Sequence, residues 1–285
     1  MFTGIGIVIV LGCVVGGYLM GHGNLSVLFQ PAEMVIIFGA ALGNFVISSP
    51  PKVLKATLGS ISKLFGGKAY SRQDYEELLL LLNEIFFKIR KEGLVSIESD
   101  IEDPEKSEIF KKYTNFLKDH HALAFLADTL RTLTIMDIDA HELANLLDYE
   151  IDAHHEEALI PAGAIANVAD ALPGLGIVAA VLGVVITMGQ LDQPPEVLGH
   201  HIGAALVGTF MGVLMCYGFV GPMAKNLENN AGEGREYLNV IKVALISFVN
   251  SPSPQMAVEF GRRVVPQELR PSFLELEQLI KQSKK

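Results

Sequence analysis

No lysine or arginine occurs in residues 1–51 or 169–224; all 22 basic residues lie in 52–168 and 225–285. Charged side chains make up only 19% of the 285 residues, while 50% are hydrophobic, against about 25% charged in an ordinary soluble domain. A shortfall this unevenly placed excludes a typical soluble enzyme and points to a membrane protein with a large water-facing part. Cysteine is scarce as well. Cys13 and Cys216 sit in separate apolar runs, which suggests neither a disulfide framework nor a metal site. The net charge of −10 leaves no basic face to neutralise phosphates, so nucleic acid is excluded as a partner. Convincing alternating strand patterns are also missing. The expected fold class is an all-α membrane protein: four transmembrane helices with a large helical cytoplasmic domain.

What is present divides the chain. Four apolar segments, Thr3–Met20, Met34–Ser49, Ala171–Gly189 and Ile202–Ala224, approach the roughly 20 residues that cross a bilayer. The second is the short one, stopped by Pro50–Pro51. The first lacks the basic flank of a cleaved signal peptide and reads as retained. The connections 21–33 and 190–201 carry no Lys or Arg, whereas Lys52, Lys55, Lys63 and Lys225 flank the opposite ends. By the positive-inside rule the two short connections face outward, with both termini and the long loop in the cytoplasm. The expected organisation is a first hairpin at 1–51, a cytoplasmic helical domain at 52–168, a second hairpin at 169–224, and a C-terminal cytoplasmic helical segment at 225–285. Small residues four apart, at Gly12/Gly16, Gly17/Gly21, Gly39/Gly43 and Gly208/Gly212, suit close helix packing in lipid.

The long loop reads as amphipathic helices. Ser71 and Asp74 form a capping box ahead of Tyr75, Leu78, Leu79, Leu82, Ile85, Phe86 and Ile89, and Gly93 stops the helix. A second helix is expected from Pro104 through Ile109, Phe110, Tyr113 and Phe116. A third covers Ala122–Met136, and a fourth runs from Asp137/Asp139 through Leu143, Leu147 and Ile151. Tyr237–Val249 is apolar enough to pack on them, and Phe273–Ile280 makes a short amphipathic tail.

Two chemical patterns are weak. Gly174, Gly176 and Ala179 match a dinucleotide fingerprint, but no strand precedes them, and the fingerprint needs one. Glu150 and His154 have the i, i+4 spacing of paired ligands, yet a solvated helix face explains them as well. Neither a metal nor another cofactor is expected. An absence is more informative: the four spans as drawn contain no ionisable acid or base, Asp170 being at the cytoplasmic entrance of the third. Ion-translocating proteins keep such a group in the membrane. Either the chain moves no ion, or another subunit supplies the group. Pro173 and Pro222, at the cytoplasmic ends of the third and fourth spans, read either as helix ends or as hinges.

Long stretches carry a resemblance: GGYLMGHG and PAEMVIIFGAALG around the first spans, LVSIESDIEDPEKSEIF in the loop, DALPGLGIVAAVLGVV and GHHIGAALVGTFMGVLMCYGFVGPMA in the second hairpin, and MAVEFGRRVVPQELRPSF near the end. Through them the chain resembles the MotA branch of the MotA/TolQ/ExbB proton channel superfamily, the larger stator subunits of the bacterial flagellar motor. The resemblance implies several copies, expected as a pentamer, around a dimer of a single-span MotB-type subunit that supplies the ion-binding aspartate. It implies location in the bacterial inner membrane, among lipid, and torque on the rotor protein FliG. Arg90 and Glu98 are then the rotor-contact charges; by residue type alone they are a solvated helix end and a surface loop. Pro173 and Pro222 become coupling hinges, and Thr209 lines the ion path. Sodium-driven relatives have a threonine where this chain has Ala180. An apolar side chain there removes an oxygen ligand for sodium, so proton coupling is expected, with Thr187 a hydroxyl that can compensate. The rival in the same superfamily is an ExbB/TolQ-like energiser of outer-membrane processes. A self-contained transporter requires an intramembrane charge or broken helices.

Overall fold

Every regular element among the described residues is helical. The computed structural model describes residues 2–66, 70–251 and 253–283; the side chains of Phe2, Ser62, Lys63 and Phe65 also lie outside the described residues, so the expected flanking charge of Lys63 has no described position. In chain order the helices are α1 (Phe2–Met20), α2 (Leu25–Leu28), α3 (Pro31–Ser48), α4 (Pro51–Gly66), α5 (Arg72–Glu92), α6 (Glu98–Glu102), α7 (Thr114–Leu117), α8 (His120–Ile135), α9 (Ala140–Met188), α10 (Pro195–Leu214), α11 (Gly221–Asn250), α12 (Pro254–Val264) and α13 (Phe273–Ser283). Among the described residues, four helical stretches, one in each region expected to span, are long and apolar enough to cross a membrane.

Local chemistry sets the ends. Pro31, Pro51 and Pro195 each open a helix, where the missing amide is no loss. Ser71 and Asp74 form the expected capping box, and Gly93, at φ +86°, ends α5 while its amide donates to the Ile89 carbonyl. Asp139 accepts from the His141 and Glu142 amides at 2.8 Å to open α9.

Two expectations give way. No regular helix starts at Pro104: residues 103–113 form turns and a 3₁₀ turn at Phe110–Lys112 before α7. Ser107 is the cause. Its hydroxyl donates to Asp100 at 2.6 Å and accepts from the Ile109 and Phe110 amides, taking donors a helical ladder would use. Ile109, Phe110, Tyr113 and Phe116 are buried regardless. The expected fourth loop helix and third span are one helix, α9, with Pro161 and Pro173 inside it.

Packing divides the chain into a unit of residues 1–68 and 158–230 and a unit of 69–157 and 231–285. The expected boundaries followed membrane crossing; these follow contact, so 52–68 and 158–168 belong with the spans. In the first unit, Ile37, Ala41, Leu172, Ala179 and Cys216 form a small core. The second has a large one, in which Phe86 stacks on Phe248 at 4.3 Å and Tyr70 on Tyr237 at 4.1 Å.

Candidate functional site

The membrane unit is organised by a seam where α9 and α10 come into backbone contact. A Cβ on Gly176 would lie 2.7 Å from the Gly208 carbonyl oxygen, and one on Gly212 would lie 2.5 Å from that of Leu172. Only residues without side chains allow this approach. Of the small-residue pairs read from the sequence, Gly208/Gly212 therefore packs within the chain. Gly12, Gly16, Gly17, Gly39 and Gly43 meet nothing within 4 Å. Gly176 and Ala179 of the apparent dinucleotide fingerprint are seam residues inside a helix.

Glu33 reaches the same seam. Its carboxyl is so close that a Cβ on Gly183 would stand 3.1 Å from Oε1 and one on Gly208 2.8 Å from Oε2. The residue is buried, and among the described residues Oε2 has no hydrogen-bond partner. This corrects the expectation that the spans hold no ionisable group. The second span was drawn from Met34, whereas α3 starts at Pro31 and carries Glu33 in its first turn. A lone acid at the head of the apolar run PAEMVIIF was the available signal.

Thr187, 2% exposed, donates its hydroxyl to the Gly183 carbonyl at 2.9 Å. Ala180 and Thr209 are half-buried on α9 and α10, and both pack at the seam: the Ala180 amide nitrogen lies 3.2 Å from a Cβ built on Gly208, the Thr209 Cα 3.3 Å from one on Gly176.

Further along, Asp170, Cys216, Tyr217, Pro222, Lys225 and Glu228 line an open cavity of about 490 Å³. One π-helical stretch, Met215–Val220, precedes α11, and the Gly221 amide donates five residues back to Cys216. Pro222 follows at the second position of α11, while Pro173 interrupts the ladder of α9 from inside. Neither proline simply ends a helix. Proline and π turns are the places where helices bend.

In the other unit, Arg90 lies in the last turn of α5 and Glu98 opens α6, both exposed. Gly93 and the 3₁₀ turn Leu94–Ile97 reverse the chain between them. Lys88 and Asp100, two residues outside each, form an ion pair at 2.5 Å. Phe87, Lys88, Arg90 and Lys91 line a shallow basic recess. Glu150 and His154 share no hydrogen bond among the described residues; His154 faces His121, ring centroids 4.8 Å apart. Burial and then the neighbouring His121 push His154 below its ordinary value, and burial raises Glu150.

Known proteins resemble this sequence and share this architecture. The family model described as Motility protein A N-terminal matches residues 4–93, and that of the MotA/TolQ/ExbB proton channel family matches 117–238. Motility protein A of Escherichia coli K12 is 43% identical over 97% of this chain and 94% of its own length. Motility protein A of Salmonella typhimurium is 42% identical over the same shares. Chemotaxis protein LafT of Vibrio parahaemolyticus is 35% identical over 96% of both chains. Two solved structures share the fold. The Bacillus subtilis flagellar MotAB stator complex gives TM-score 0.78 at 24% identity, covering 96% of this chain and 100% of that one. The C. jejuni MotAB structure gives TM-score 0.78 at 19% identity, covering 95% and 98%.

Proposed function

Because the chain belongs to the motility protein A family, flagellar stator subunits of the MotA/TolQ/ExbB proton channel group, we propose that it couples proton flow to torque on a flagellar rotor. The observation that carries this is 43% identity over 97% of the chain to a motility protein A. The ExbB/TolQ-like reading is not favoured, since the N-terminal motility model matches residues 4–93. The family is one of stator and channel subunits rather than enzymes.

In this reading several copies, five by the family's pattern, surround a dimer of a MotB-type subunit in the bacterial inner membrane, with both termini cytoplasmic. The partner's single helix brings the ion-binding aspartate. Small residues along the α9–α10 seam keep those two helices packed as a rigid pair, and the prolines at 173 and 222 are where the pair bends as the aspartate changes charge. Thr209 lines the path. Ala180 provides no oxygen for a dehydrated sodium ion, which supports a proton as the coupling ion; the Thr187 hydroxyl donates to the Gly183 carbonyl. Arg90 and Glu98 present opposite charges to the rotor protein FliG, giving register and orientation more than affinity.

The experiment is complementation. Cells lacking their own stator receive this chain with a MotB-type partner, and swimming is recorded in sodium-free medium and after collapse of the proton gradient. Swimming that persists without sodium and stops when the proton gradient collapses supports the reading. Swimming that requires sodium overturns the proton assignment, and absence of any swimming with the partner present overturns the stator assignment.

A further inference from the structure

Glu33 is 8% exposed, and among the described residues its Oε2 has no partner. Gly183 and Gly208 leave the room its two oxygens occupy, and the side chains beside them, Ala179 and Ala205, end in methyl groups. Among the described residues no cationic side chain bonds to or pairs with Glu33. Residues 1–51 and 169–224 hold no Lys or Arg, and their other acids and histidines are His22, Asp170, Asp192, Glu196, His200 and His201. None of these bonds to Glu33 among the described residues; His201, one turn before Ala205 on α10, is the titratable group closest to it along that helix. A carboxylate withdrawn from water without a cationic partner is strongly disfavoured unless it takes up a proton or a cation. The partnerless oxygen and the glycine cradle are independent observations, and both point to one occupant of the smallest size.

We propose that Glu33 is a proton-binding carboxyl belonging to this chain, loaded from the outward side of the membrane ahead of the partner's aspartate. The inference rests on the stator reading for its orientation and its partner. The step is an exchange: the carboxylate takes a proton from a hydronium ion, forming one O–H bond and leaving water. Passing that proton inward to a carboxylate of the partner or to water restores it. Each subunit of a ring then carries its own outer proton site, and the ion path begins on this chain.

The test uses the full chain with its MotB-type partner in proteoliposomes, reading proton uptake against outer pH. Wild-type flux establishes the stator reading; no flux from the wild type overturns that reading, not this one. Glu33→Gln keeps the shape and removes the exchangeable proton. Its flux is expected to fall roughly tenfold or more, while Glu33→Asp conducts with a displaced pH midpoint. Unchanged flux and pH profile in Glu33→Gln overturn the proposal. Since a variant can fail to insert, the wild-type complex is also treated with a membrane-soluble carbodiimide, which adds covalently to a protonated carboxyl in an apolar site. Labelling of the Glu33 peptide, read by mass spectrometry and declining as pH rises, is the expected result. An unlabelled Glu33, or labelling indifferent to pH, overturns it.

Discussion

Lys88 donates from Nζ to Oδ2 of Asp100 at 2.5 Å, closing the turn that carries Arg90 and Glu98. The pair is mostly shielded from water, the side chains being 26% and 9% exposed. Asp100 uses its other oxygen to accept from Ser107 at 2.6 Å, and Ser107 in turn holds two amides. Five residues, Lys88, Asp100, Ser107, Ile109 and Phe110, are thus tied into one bonded network beneath two exposed charges.

Removing Asp100 leaves Lys88 without its carboxylate and Ser107 without its acceptor. Asp100→Ala is expected to destabilise the water-facing unit by about 1–3 kcal/mol. Hydrogen exchange should show the Ile109 and Phe110 amides opening first. Unchanged protection at both amides would show that the network does not hold the segment.

Arg90 and Glu98 themselves are exposed, so reversing them should alter stability by no more than about 0.5 kcal/mol. Arg90→Glu and Glu98→Lys are instead expected to reduce swimming speed and torque while the protein accumulates in the membrane normally. Wild-type torque from both variants, alone and combined, removes these residues from the rotor contact.

The glycines divide by what faces them. Gly212→Ala sets a methyl group 2.5 Å from the Leu172 carbonyl oxygen, forcing α9 and α10 apart at a cost of about 1–3 kcal/mol. Gly12→Ala meets nothing within 4 Å of its own chain and should leave the isolated subunit unaffected. Thermal unfolding of the purified subunit in detergent separates the two. Equal melting temperatures for both variants rule out the seam as the tight contact.

A pH effect is expected at the end of α12. Glu259 accepts from Arg262 at 2.7 and 2.8 Å and from Arg263 at 2.8 Å. Those bonds, Arg262's first, hold its carboxyl below the ordinary value of 4.5. A depressed carboxyl means that the unfolded chain binds the proton more readily. The stabilisation is therefore full above pH 4.5 and lost as pH falls through the lower folded value. Glu259→Gln should abolish that slope; amide exchange along α12 between pH 6 and pH 3 (about the range bracketing the shift) is the measurement. A slope that survives in the variant assigns it to another group.

Much of the local structure was legible in the chain itself. Ser71 with Asp74 and Gly93 act on backbone groups within four residues of themselves, so nearest-neighbour chemistry suffices to read them; the starts of α3 at Pro31 and α4 at Pro51 were not read that way. The four spans were legible for a similar reason, because apolar length is a property of a segment. The second loop helix was misread because the Ser107 hydroxyl, held by Asp100 seven residues earlier, claims the amides that periodicity assigned to a helix. The merging of a loop helix with the third span into α9 was missed because Pro173 was read as the cytoplasmic end of that span, whereas it lies inside the helix.

Sequence by itself determined the class, the number of spans and the family, since composition, run length and extended identity need no knowledge of what touches what. Tertiary structure alone decided which glycines are contacts and which are open surface. It also decided that Glu33 is inside the helix packing rather than in a loop. Burial of a carboxyl depends on the absence of side chains at Gly183 and Gly208, about 150 residues or more further along the chain, and no local pattern at Glu33 encodes that room.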